Sequence, residues 1–300
     1  MSTSVLTYEN SRAALLERLT GYVELTKPRI SAMVLVAVAT AAFAAGWGPP
    51  DALLLVHTIV GTALVAASAS ALNQYLERHS DGRMERTADR PLPSGRLSIR
   101  EVLTFGAVTA VAGLVYLAAV VNVTTALLGL VTWVLYVWIY TPLKSRSTVN
   151  TPVGAVAGAM PVLMGWASVG APLDLHAFTL FVILFLWQFP HFMAIAWLYR
   201  SQYASAGLKM LSVVDPTGKR AGAQAVLSAL ALLPVSVLPC VLQVASGTYF
   251  GWTLLLGLGQ LACAVAFLVR LDEVSARRLL RASLVYLPAV LLLWMLAPLV

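Results

Sequence analysis

Asn73, Glu77 and Asp81 follow one another at intervals of four residues. On a helix each step of four turns the side chain by only about 40°, so three oxygen-bearing side chains would share one face. Oxygen-only donors suit a hard cation. Mg²⁺ needs few protein carboxylates when phosphate oxygens complete its shell. Arg86, Arg90 and Arg96 follow, among Pro91, Pro93 and Gly95, which should break the helix and fold the loop back. Carboxylates for a metal beside guanidiniums for anionic oxygens fit a metal-bound diphosphate. A solvated loop braced by i,i+4 ion pairs would have the same composition, and spacing alone leaves both readings open.

Two further stretches carry charge. In YTPLKSRSTVNTPVG, residues 140–154, Lys144 and Arg146 stand just past one apolar run and Asn150 just before the next. Two cations at a helix end are ordinary by themselves. In WQFPHFMAIAWLYRSQYASAGLKML, residues 187–211, His191 lies inside an apolar run beside Pro190, and Arg200 and Lys209 follow. An ionisable residue within a membrane segment is a functional candidate, with a hydrogen-bonded packing histidine as the alternative. The neighbouring Trp187, Phe192, Trp197, Tyr199 and Tyr203 read as core or interface belt.

The elements that must hold these residues are membrane helices. Of 300 residues, 59% are hydrophobic and only 33 are charged, with a mean hydropathy of +0.82. A soluble domain could not cover that much apolar surface. Nine apolar segments are legible, at about 30–47, 52–74, 99–121, 124–142, 152–170, 176–199, 222–244, 250–270 and 281–299. They leave a single membrane domain after an N-terminal segment, 1–29, and no signal peptide is expected ahead of the first span. Asp51 and Asp174 are expected N-caps, Ser98 with Glu101 a capping box, and Thr151 with Pro152 a helix start. Cys240 and Cys263 fall in apolar runs and read as buried thiols.

Lys and Arg are confined to the N-terminal segment, to alternate loops and to the borders of those loops. By the positive-inside rule that side is cytoplasmic, which places the N-terminus inside and the C-terminus outside. The net charge of +7 is topology and calls for no nucleic-acid partner.

Taken together, the motifs resemble the UbiA superfamily of membrane prenyltransferases, and within it the haem branch. The residues that carry the resemblance are N-Q-x-x-E-x-x-x-D-x-x-M-x-R-T-x-x-R-P-L from Asn73 to Leu92, Y-T-P-L-K from Tyr140 to Lys144, G-A-x-x-G-A-x-P from Gly154 to Pro161, and W-Q-F-P-H-F from Trp187 to Phe192. The similarity runs in order over roughly residues 20–300. It implies an all-α bundle of nine transmembrane helices around a lipid-open cavity. It also implies transfer of the farnesyl group of farnesyl diphosphate to a vinyl group of haem B, with addition of water, giving haem O.

Mg²⁺ is the implied cofactor, with Asn73, Glu77 and Asp81 at Mg²⁺–diphosphate positions and Arg86, Arg90, Lys144 and Arg146 as diphosphate-side cations. Arg200 and Lys209 would contribute from the loop after the sixth span. His191, in the haem-branch block, becomes a candidate for catalysis or haem ligation. The implied setting is the inner (plasma) membrane, in lipid, with haem A synthase or terminal oxidase assembly proteins as candidate partners. Two departures stand out. Arg200 is followed by Ser201, Gln202 and Tyr203, where the branch keeps an acid, so a second metal held by this loop is in doubt. Ser145 stands where the branch has arginine. Two rival readings are a UbiA-type enzyme with a quinone-ring or chlorophyll-type acceptor and a non-catalytic haem-handling protein or transporter.

Overall fold

The computed structural model describes residues 16–46, 48–242 and 246–296. The start of the N-terminal segment and the far ends of the predicted spans 30–47, 222–244 and 281–299 lie outside the described residues. All regular structure among the described residues is helical. After a helical segment at 16–25 come α1 (Pro28–Ala45), α2 (Ala52–Asp81), α3 (Ile99–Tyr116), α4 (Val123–Val134), α5 (Asn150–Ser168), α6 (Leu175–Leu198), α7 (Lys219–Val241), α8 (Gly247–Arg270) and α9 (Glu273–Leu296). α3 and α4 are prolonged by wider, π-type turns at Leu117–Val121 and Leu135–Tyr140.

The expected caps are in place at α2, α3 and α6. Asp51 accepts the Leu54 N–H, Ser98 and Glu101 bond reciprocally, and Asp174 accepts from His176 and Ala177. The expected Thr151–Pro152 start is not. α5 opens two residues earlier, with Val149 as N-cap and Asn150 as its first residue, whose Nδ2 donates to Ser147 O and Lys209 O, so the loop after α6 fixes this end.

Eight helices among the described residues are long and apolar enough to cross a membrane. The nine apolar spans expected from sequence are therefore corrected to eight. The exception is α5, long enough but diluted by its glycines and prolines and by Asn150 and Thr151 at its start. Fifteen of its nineteen residues are buried, so its neighbours cover it in place of lipid, and small residues are what close helix packing needs. At Gly165 a Cβ would lie 2.1 Å from Val38 O of α1. The main core joins α1, α5, α6, α7 and α9 through residues such as Ala41, Leu163, Ile183, Leu232, Val290 and Trp294. Val111, Val115, Leu227, Leu255 and Val285 point outward from the bundle.

α2 positions the site. Its 30 residues span about 45 Å at 1.5 Å per residue, against roughly 30 Å of bilayer hydrocarbon. The excess is the polar end, residues 73–81.

Candidate active site

A cavity of about 370 Å³ opens inside the bundle. Its polar mouth is lined by Lys27, Glu77, Asp81, Arg86, Arg90 and Lys144, and its interior by Trp133, Tyr136, Tyr140, Met164 and Phe192 among others. The i, i+4, i+8 face expected of α2 is present, and each of its three side chains is met by a separate cation. Lys144 Nζ lies 2.6 Å from Glu77 Oε1, and Arg90 donates to Asp81 Oδ2 at 2.6 Å. Lys27 Nζ donates to Asn73 Oδ1, while Asn73 Nδ2 donates to Thr141 Oγ1 at 2.9 Å. Asn73 is fully buried and does not line the cavity.

Lys27 is the charged residue of the cavity mouth that sequence reasoning missed. It precedes Pro28 at the start of α1, with φ of 50° in the left-handed region, and its ammonium is carried to α2. The segment that delivers it is tied down by Gln74 Nε2 on Leu25 O, by the Arg96–Glu24 pair and by the Arg18–Glu101 pair. Burial pushes Lys27 down to about 7, with Arg90 adding to the effect. Burial also opposes the charge of Lys144, but Glu77, Tyr140 and Tyr136 overcome it and hold this lysine above its usual range. The Lys144 ammonium lies 4.5 Å over the Tyr140 ring, which packs 5.4 Å from Tyr136.

The donor set fits a hard cation bound together with a phosphate ligand. Asp81 is 1% exposed and its Oδ1 has no hydrogen-bond partner among the described residues. A buried unpaired carboxylate oxygen is costly, and a cation at the mouth would satisfy it. No group of three or more His, Cys, Asp or Glu side chains among the described residues could hold a metal alone, so a metal here would draw on ligand oxygens as well.

Comparison with known proteins gives the family and the fold. The sequence matches the UbiA prenyltransferase family over residues 33–296. The chain belongs to the UbiA prenyltransferase family. A relative from Solibacter usitatus, a protoheme IX farnesyltransferase, is 44% identical over 278 residues, covering 90% of this chain and 95% of the relative. The mitochondrial protoheme IX farnesyltransferase of Arabidopsis thaliana is 38% identical, covering 89% of this chain and 62% of its own length. The fold matches a digeranylgeranylglyceryl phosphate synthase structure with a TM-score of 0.77, at 16% identity, over 94% of this chain and 99% of that one. It also matches a UbiA homologue from Archaeoglobus fulgidus bound to DMAPP and Mg²⁺, with a TM-score of 0.64 at 17% identity, over 90% and 98% of the two chains.

In this UbiA fold the remaining predicted site residues divide. Arg86 and Arg90 line the cavity. The Arg86 guanidinium lies 4.8 Å over the Tyr199 ring, and its NH2 donates to Tyr203 Oη at 3.2 Å. Arg146 does not line this cavity. It borders a second, more open pocket with His79 and Arg83 that shares Glu77 as a wall. Arg200 stacks on Trp197 at 4.4 Å and donates to Trp197 O, away from the cavity lining. Lys209 acts through its backbone, its N–H donating to Lys144 O at 2.7 Å. Gln202, in the place of the missing acid, accepts the Arg86 backbone N–H at 3.4 Å.

His191 is on the other side of α6. Its Nδ1 lies 2.9 Å from Ser283 Oγ of α9, and its ring stacks on Trp187, whose Nε1 donates to Ser283 O. The cavity face of α6 is Gln188, Phe192, Met193, Ile195 and Ala196. His191 and Trp187 belong to the α6–α9 seam.

Proposed function

We propose that this UbiA-family chain transfers the farnesyl group of farnesyl diphosphate to a vinyl group of haem B, giving haem O and diphosphate. The observation that carries the reading is a cavity with a cationic, carboxylate-bearing mouth and an aromatic, apolar interior. It suits a substrate with a diphosphate head and a hydrocarbon tail. The haem acceptor is supported by relatives such as the Solibacter usitatus protein, at 44% identity.

Glu77 and Asp81 are the residues that would hold Mg²⁺, with Asn73 behind them. The metal supplies charge neutralisation of the leaving diphosphate. Breaking the allylic C–O bond leaves negative charge on diphosphate, which Lys144, Arg90 and Arg86 are placed to receive, while Lys27 would bind the diphosphate head throughout. The positive charge on the prenyl chain meets the faces of Tyr136 and Tyr140. The surrounding apolar wall keeps bulk water from the cation.

The test is expression of the chain with haem B and farnesyl diphosphate, followed by mass spectrometry. Haem O is the expected product. Prenylation of a quinone-ring acceptor with haem B left untouched would refute the reading.

The same reading sets the mouth at the cytoplasmic face of the plasma membrane. Cysteines placed at Gly48 and Gly247 should react with an impermeant reagent from outside and one at Ser94 should not. The reverse pattern would invert the orientation.

A further inference from the structure

Gln188 lies on the cavity face of α6, two positions from the motif proline, and is 6% exposed. Its Nε2 donates to Ala155 O at 2.9 Å and to Leu184 O at 3.1 Å. With both amide hydrogens committed, the flip of the side chain is fixed by its network, and Oε1 is turned toward Gly158. A Cβ at Gly158 would lie 2.2 Å from that oxygen, so glycine is what leaves it room. Oε1 accepts no hydrogen bond from the described residues and is not among the buried, sealed-off oxygens. Both Gln188 and Gly158 line the cavity.

The depth of this acceptor follows from its neighbours. The Lys144 ammonium covers the Tyr140 ring, and Tyr140 packs on Gly154, whose Cβ would lie 2.5 Å from Cε2 of that ring. Gly158 is one helical turn further in, about 6 Å. The oxygen is thus just inside the diphosphate end, where a prenyl C1 and its acceptor carbon would meet.

Resting on the haem O reading above, we infer that Gln188 Oε1 holds the water that adds to the acceptor. Neither substrate offers another partner at this depth. The farnesyl chain is hydrocarbon, the vinyl edge of the porphyrin is hydrocarbon, and ionised propionates are acceptors themselves. A fixed acceptor inside an apolar cavity has water left to bind.

The step balances as follows. The C1–O bond of farnesyl diphosphate breaks, and its electron pair leaves with diphosphate. The vinyl π pair forms the new bond between C1 and the terminal vinyl carbon. The cation left on the ring-side vinyl carbon takes a lone pair from water, forming the C–O bond. The surplus proton of that water goes to diphosphate. Gln188 positions the water and is not itself changed. Without a held water, the same cation can shed a proton from the adjacent carbon and give a product lighter than haem O by one water.

The experiment measures haem O formed per diphosphate released in wild-type protein and Gln188→Met, with products identified by mass spectrometry. Methionine keeps length and removes the acceptor. The expected result is diphosphate release within about threefold of wild type, haem O per diphosphate reduced roughly tenfold, and appearance of the dehydrated product. Gly158→Ala, which pushes Oε1 aside with Gln188 retained, should shift the same ratio in the same direction and serves if Gln188→Met does not fold. An unchanged ratio in the folded variant would overturn the inference. Absence of haem O from wild-type protein would instead overturn the functional reading, so the two failures are distinct.

Discussion

The polar end of α2 and the loop after α6 face one another across the cavity mouth, yet they are built differently. The α2 end carries Asn73, Glu77 and Asp81, each held by a cation from elsewhere in the chain: Lys27, Lys144 and Arg90. The loop after α6 carries no carboxylate in the corresponding place. Its Gln202 and Tyr203 instead hold Arg86, and Arg200 folds back on Trp197. On the proposed function, one side would present anionic oxygens to a metal, and the other would steer a cation toward the leaving group. The difference teaches that metal and guanidinium are not interchangeable decorations here. On that function they would divide the diphosphate between two elements.

The comparison breaks most sharply at Asp81. Asp81→Asn removes the charge and keeps the volume, and diphosphate release should fall about a thousandfold in kcat/KM, roughly 4 kcal/mol. Thermal stability in detergent should show whether the variant still folds, since Arg90 loses its partner. Activity near wild type at limiting Mg²⁺ would remove the metal from α2. Lys27→Met should have an intermediate effect, raising KM for farnesyl diphosphate about tenfold with little change in kcat, as expected for a group that binds the head in ground and transition states alike. A fall in kcat with unchanged KM would show that Lys27 acts only in the bond-breaking step.

The smallest effects are expected on the α6 side. Gln202→Asp, which restores an acid, and His191→Gln, in the α6–α9 seam, should each leave diphosphate release within about threefold of wild type. If Gln202→Asp raises activity and adds a second metal requirement, the asymmetry is a recent loss and not a working design. If His191→Gln abolishes haem O formation while diphosphate is still released, the residue serves the acceptor after all.

What could be read from the sequence follows from how local each signal is. The shared face of Asn73, Glu77 and Asp81 needs only helical periodicity, and the helix starts at Asp51, Ser98 and Asp174 need only a few neighbouring residues. Lys27 was not legible, because its contact with Asn73 spans 46 residues and depends on how the segment before α1 docks. For His191, the chain announces a polar residue inside α6 but not its direction. A helix apolar all round has no polar face from which to infer which side meets the cavity. The count of apolar spans was one too high because α5 is shielded by its neighbours and its composition need not match that of a lipid-facing helix.

Equilibrium binding of the slow-reacting analogue farnesyl S-thiolodiphosphate, with and without Mg²⁺, tests the division of labour most directly. In wild type and Gln202→Ala, Mg²⁺ should tighten binding by about tenfold or more, at least 1.4 kcal/mol. In Asp81→Asn it should change affinity less than about twofold. Mg²⁺-dependent tightening that survives in Asp81→Asn and vanishes in Gln202→Ala would contradict the account and move the metal to the loop after α6.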